Sequence, residues 1–214
     1  NSFPIPENIV INLIESMNMK LTLPQQDVYF EQLLYPNDPI YNIGAKIAIE
    51  GNIVYETLNQ AYIVLINQHN AYRSIVIQNQ EEVQTIILPE HHSTLGFIDF
   101  SKEVDADIVA NTYMQETFKK PFNLQAKQLL HQFTLIKVSD SFYYLFSMYH
   151  HIITDGWGTS LMFQRLVNNY NELIKSGSIE SKYPCGYKTF IMDDESYYNS
   201  ESFIKDKAYW VEKF

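Results

Sequence analysis

Two runs in the second half of the chain alternate with a period of two. Residues 132–138 and 141–149 read as strands, and Ser139-Asp140 between them predicts a tight hairpin. Along the second run, Phe142, Tyr144, Phe146 and Met148 take one face, and Tyr143, Leu145, Ser147 and Tyr149 take the other. Other stretches repeat at helical spacing. Residues 53–68 align Val54, Leu58, Ala61 and Leu65. Residues 103–119 align Ala106, Ala110, Met114 and Phe118, and residues 159–174 align Phe163, Leu166, Tyr170 and Leu173 or Ile174. Pro24 opens a further helix through Tyr35, which Pro36-Asn37-Asp38-Pro39 ends. Lys119-Lys120-Pro121 and Lys175-Ser176-Gly177 supply stops for two of the others.

Shorter apolar runs complete the pattern. Residues 43–49 predict a strand that Gly51-Asn52 turns, and residues 74–78 and 83–88 predict two strands around a polar turn at 79–82. Residues 89–96 read as loop and 180–184 as a connector. Residues 187–214 read as mostly helical, with Phe203, Ala208, Trp210, Val211 and Phe214 apolar. Strands alternating with helices predict an α/β layered fold. No internal repeat or low-complexity segment interrupts it.

Composition narrows the class. A chain of 214 residues suffices for one sizeable core or for one large piece of a bigger protein. A formal net charge of -10 argues against nucleic acid and anionic membrane surfaces as main partners. Cys185 is the only cysteine, which excludes an internal disulfide and a cysteine metal cluster. No apolar run reaches the roughly 20 residues of a membrane span, and residues 1–6 lack the layout of a secretory signal. A soluble cytoplasmic protein is expected.

The candidate chemistry lies at one junction. His150-His151-Ile152-Ile153-Thr154-Asp155-Gly156 follows the second alternating run and precedes a helical one. A titratable imidazole at such a turn, with an acid and a glycine at fixed offsets, suits proton transfer. If the strand parity continues, His150 and His151 point in opposite directions. The pair then reads as one working imidazole and one structural neighbour. Residue type alone would allow His150, His151 and Asp155 to hold a metal, but parity opposes it. A second pair, His91-His92, has no Asp-Gly after it and receives no function. His69 and His131 read as structural.

The motif resembles the signature of condensation domains of nonribosomal peptide synthetases, within the acyltransferase superfamily shaped like chloramphenicol acetyltransferase. Its neighbours come in the family's order. Leu23-Pro24-Gln25-Gln26 with Tyr29-Phe30 is similar to the first motif. Gln68-His69-Asn70-Ala71-Tyr72-Arg73-Ser74 is similar to the second, and Pro121-Phe122-Asn123-Leu124 to a stretch ahead of the hairpin. Tyr187 to Phe190, and Lys205 to Phe214 with Tyr209-Trp210, resemble the close of the first subdomain.

The resemblance implies a two-layer α/β sandwich, a mixed sheet covered by helices. Residues 1–214 would be the N-terminal subdomain, with the C-terminal subdomain absent from this chain, as if cut inside a longer protein, and the piece would be inactive alone. It implies amide formation between a carrier-bound acyl or peptidyl thioester and a carrier-bound aminoacyl group. Both would ride on phosphopantetheine arms of peptidyl carrier domains, beside an adenylation domain of the same polypeptide, with no cofactor bound directly. His151 would be the catalytic base or a positioning group for the amine. Gly156 would offer a bare backbone N–H at the reacting centre. His150 would support the loop. Asp155 would be structural, with Arg73 as its expected ion-pair partner, and Trp157 belongs to the motif.

Three departures stand out. Gln68 replaces an arginine, Asn70 a glutamate, and Gly158 a serine that would cap the next helix, a task left to Thr159. The Asp-x-x-x-x-Asp of heterocyclising relatives is absent. Tyr41-Asn42-Ile43-Gly44 after Asp38-Pro39 resembles starter domains that accept a fatty acyl donor. Two alternatives stay open: a free-standing acyltransferase using acyl-CoA, and a non-catalytic condensation-like docking module.

Overall fold

A computed structural model describes residues 18–78, 82–90, 93–183 and 186–214. Residues 1–6, Asn79, Gln80 and Glu81 of the expected turn, the His91-His92 pair, Pro184 and Cys185 lie outside the described residues. The predicted hairpin forms as β6 (His131–Ser139) and β7 (Phe142–His150), paired antiparallel. β2 (Asn42–Glu50) pairs with the other edge of β7, and the short β5 (Gly96–Asp99) runs parallel to β6. The order is β2-β7-β6-β5, so the sheet is mixed. A second, antiparallel sheet holds β1 (Asn18–Lys20), β4 (Val83–Ile87) and β3 (Ser74–Gln78) in the order β1-β4-β3.

The parity of β7 decides the layering. Tyr143, Leu145 and Tyr149 enter the main core with Leu58 and Leu65 of α2 (Tyr55–Gln68) and Leu166 and Leu173 of α4 (Gly156–Ser176). Tyr144, Phe146 and Met148 pack on the opposite face with Ala110 and Met114 of α3 (Ala106–Phe118). Both rows are apolar because helices cover both faces. Each buried side chain of this size contributes about 1.5–3 kcal/mol by removal from water. Leu145→Ala, at the centre, would cost about 2–5 kcal/mol. The α/β sandwich, a mixed sheet covered by helices, is as the sequence predicts.

Boundaries shift where caps decide them. α1 (Leu23–Leu34) starts beside Pro24 and ends as predicted. α2 begins at Tyr55, which leaves Val54 as its N-cap and exposed rather than on the buried face. α3 begins three residues late, after Asp105, whose side chain makes no capping bond. α4 begins three residues early because the Asp155 carboxylate caps it. Two strands escape the pattern: β1, three residues long, and β5, only four, inside and just after a stretch that reads as loop. The last helical stretch divides into α5 (Tyr187–Tyr198) and α6 (Glu201–Lys213), where Ser200 Oγ accepts the Phe203 N–H at 3.2 Å. Among the described residues no helix is long and apolar enough to cross a membrane.

Candidate active site

Residues 151–155 carry the chain from the end of β7 to the start of α4. The turn is pinned by its backbone. The His150 N–H donates to Leu130 O at 2.9 Å, the His151 N–H to Tyr41 O at 2.8 Å, and the Ile153 N–H to His150 O at 3.1 Å. The two histidine rings then part, as the strand parity predicts. His150 is fully buried. His151 is exposed and lines a cavity of about 480 Å³ between α1, α4 and α5.

The His150 ring is held at both nitrogens. Nδ1 accepts the Ile152 N–H at 3.1 Å, and Nε2 faces Gln32 Oε1 at 3.2 Å. Burial, with His151 beside it, pushes its pKa from 6.5 to about 4, so the ring is neutral. Its Nδ1 ties the ring to the backbone of the following loop at Ile152. His151 meets Tyr41 in a T-shaped contact at a centroid distance of 6.4 Å and lines the cavity.

Asp155 and Arg73 do not pair, contrary to the sequence expectation. Asp155 is exposed, and its carboxylate accepts the Gly158 N–H at 2.7 Å as the N-cap of α4. The buried Arg73 turns away, donating to the carbonyls of Leu88 and Pro89 and, at 2.8 Å, to Asn70 Oδ1. Asn70 thus takes the arginine. The helix needs a side-chain acceptor for its unpaired first N–H groups, and Asp155 is the nearest one. That also corrects the role expected of Thr159, which sits inside the helix and donates its hydroxyl to Asp155 O at 2.9 Å.

The glycines of the motif differ in kind. A Cβ on Gly158 would run into Thr154 Oγ1, which Tyr72 OH holds at 3.2 Å. Thr154 and Gly158 are thus fitted to one another. A Cβ on Gly156 would meet nothing within 4 Å. Gly156 opens α4, in the turn whose N–H groups lack helical partners and carry the positive end of the helix dipole. Trp157 is 87% exposed and does not line the cavity.

Sequence reading missed other residues of the cavity. Arg165 lies two turns along α4 from Gly158, on the face that Leu161 shares, and helical spacing from the motif would have found it. Its Nη1 lies 3.0 and 2.9 Å from the two nitrogens of His69. Burial, then Arg165 and Arg73, lower the His69 pKa to about 4. His69 is therefore part of the cavity wall, whereas the buried His131 meets Tyr72 O at 2.9 Å. Gln25 belongs to the first motif, but its reach is a tertiary fact. Its Nε2 donates to Ile152 O at 2.9 Å and to Tyr187 OH. No cluster of three metal-ligating side chains occurs among the described residues.

A helix-covered mixed sheet with this strand-to-helix junction defines an α/β sandwich of the chloramphenicol acetyltransferase type. Residues 15–214 match the family model for the condensation domain, and the chain belongs to that family. It is 28% identical over 200 residues to the dimodular nonribosomal peptide synthase of Bacillus subtilis (strain 168), covering 94% of this chain and 8% of that protein. Gramicidin S synthase 2 of Aneurinibacillus migulanus is 28% identical over 175 residues, 81% and 4% of the two chains. The starter condensation domain of rhizomide synthetase superposes with a TM-score of 0.87 at 25% identity, covering 93% of this chain and 48% of that one. This chain thus spans about half the length of that solved domain and a small part of the synthetases.

Proposed function

We propose that this chain is the N-terminal half of a condensation domain, and that the completed domain forms an amide in nonribosomal peptide synthesis. The amine of a carrier-bound aminoacyl group attacks the carbonyl of an acyl or peptidyl thioester. The C–N bond forms, the carrier thiolate leaves, and the amine gives up a proton. The observation that carries this reading is the exposed His151 ring on the cavity beside the start of α4, with its sequence neighbour buried. An amine with a pKa of about 8 needs a base or an acceptor as it attacks, and imidazole serves as either. The N–H groups at the start of α4, Gly156 first, suit an oxyanion.

The partners follow from the reaction. Donor and acceptor carrier domains bring phosphopantetheine thioesters, an adenylation domain charges the acceptor, and a C-terminal half completes the cavity, all in the cytoplasm. A CoA thioester is the second donor in view, because a mutant of the rhizomide starter domain has been solved in complex with C8-CoA.

The test uses the intact domain with both halves present. Acyl donors, an octanoyl thioester among them, and an aminoacyl acceptor are loaded on carriers, and the amide is followed by intact mass. Product from wild type and a loss of about 100-fold or more in folded His151→Ala supports an essential imidazole. Product with little loss leaves condensation in place and reduces His151 to positioning. No product from carrier or CoA donors would replace the reading with a docking module.

A further inference from the structure

Two glutamines of α1, Gln25 and Gln32, stand two turns apart on one face, about 10 Å along the helix axis. Both are buried, and each amide has its orientation fixed by its partners. Gln25 Oε1 accepts from Thr22 N at 3.1 Å and Thr22 Oγ1 at 3.2 Å, so its Nε2 faces Ile152 O and Tyr187 OH. Gln32 Nε2 donates to Tyr35 O at 2.8 Å and Asp38 O at 3.1 Å. Both are carbonyls, so the amide cannot be turned round, and Oε1 is left facing His150 Nε2. An amide oxygen only accepts, which places the imidazole hydrogen on Nε2. His150 Nδ1 is then bare and accepts the Ile152 N–H.

We propose that Gln32 is a positioning residue for His151, acting through the buried ring of His150; this deepens the proposed function and rests on it. The Gln32 carbonyl selects the His150 tautomer, the tautomer holds the Ile152 N–H, and Gln25 holds the Ile152 carbonyl. His151 sits between two residues whose backbones are fixed on both sides, with its own N–H on Tyr41 O. The opposite tautomer would set an Nδ1–H against the Ile152 N–H, donor against donor, and the loop carrying His151 would move. Among the described residues, the rings of Tyr41 at 5.9 Å and Phe122 at 6.3 Å also lie against His150. Gln32 itself does not line the cavity, whereas Gln25, His151 and Ile152 do, so Gln32 reaches the site indirectly, through its contact with His150.

The experiment has two arms. In the first, the full chain is labelled with nitrogen-15 at its six histidines, and the His150 signals are assigned by their loss in His150→Asn. Nitrogen shifts report which ring nitrogen carries the hydrogen. A neutral Nε2–H form in wild type supports the relay, and an Nδ1–H form overturns it. In the second arm, Gln32→Met, which keeps the bulk and removes the amide, is placed in the intact domain and checked for folding. A kcat lower by about 10- to 100-fold, with KM for the carrier-bound acceptor little changed, is expected of a displaced group. An unchanged kcat in a folded Gln32→Met would overturn the proposal. An inactive wild type would overturn the proposed function instead and leave the tautomer to decide the relay.

Discussion

The carboxylate of Asp155 receives the backbone N–H of Gly158 at 2.7 Å and so closes the first turn of α4. An exposed cap has a different energetic scale from a buried ion pair. Asp155→Ala is expected to lower stability by about 0.5–2 kcal/mol, and Asp155→Asn by much less. The buried pair with Arg73 that the sequence suggests would have implied about 3–5 kcal/mol. Urea denaturation of the two variants distinguishes the scales. A loss near the larger range would contradict the cap.

Thr154 and Gly158 share one small space. Gly158→Ser should destabilise by about 1–3 kcal/mol because Thr154 is in the way. In a Thr154→Ala background the same change should be far milder. A double-mutant cycle is expected to show a coupling of about 0.5–3 kcal/mol. Additive energies would mean that the two residues do not contend.

A Cβ on Gly44 would meet backbone first, with the Phe118 ring at 3.2 Å beside it. It would strike Ser147 O and lie 3.1 Å from Met148 Cα across the β2–β7 pairing. Neither strand can step aside without breaking the ladder. Gly44→Ala should therefore lower the melting temperature clearly, with a cost of about 1–3 kcal/mol or more. A melting temperature equal to wild type would show that the strands give way easily.

Protonation of His150 opposes folding. Its folded pKa is about 4, below the 6.5 of the free side chain, so the unfolded chain binds the proton first as pH falls. Stability should be independent of this group above about pH 6.5 and decline from there to about pH 4, by about 3 kcal/mol in all. His69, also lowered to about 4, adds a decline of the same sign. The difference between wild type and His150→Asn in urea midpoints across that window isolates the first contribution. Parallel curves would place the His150 ring in water.

Much of this architecture is legible in the spacing of apolar residues because both faces of β7 are covered. Tyr143, Leu145 and Tyr149 separate cleanly from Tyr144, Phe146 and Met148 by a period of two, and each row finds its own cluster. The same parity foretold the divergence of His150 and His151. β1 and β5 were not legible, since three or four residues carry no periodicity and owe their form to a neighbouring strand. The partners of Arg73 were not legible either. Its bonds to Leu88 and Pro89 depend on how β3 returns beside β4, which spacing does not encode. Arg165 lay within reach of a helical repeat counted from Gly158, whereas the grip of Gln25 on Ile152 spans 127 positions and leaves no local trace.

Gly156 stands apart from Gly44 and Gly158, because nothing in the chain itself crowds the space a side chain would take. A library randomised at this position and sorted for folding alone would accept many residues, alanine among them. The same library sorted for amide product, on the proposed function, would return to glycine. Disagreement between those two sorts would locate the pressure on this position outside the polypeptide, in the molecule that enters the cavity.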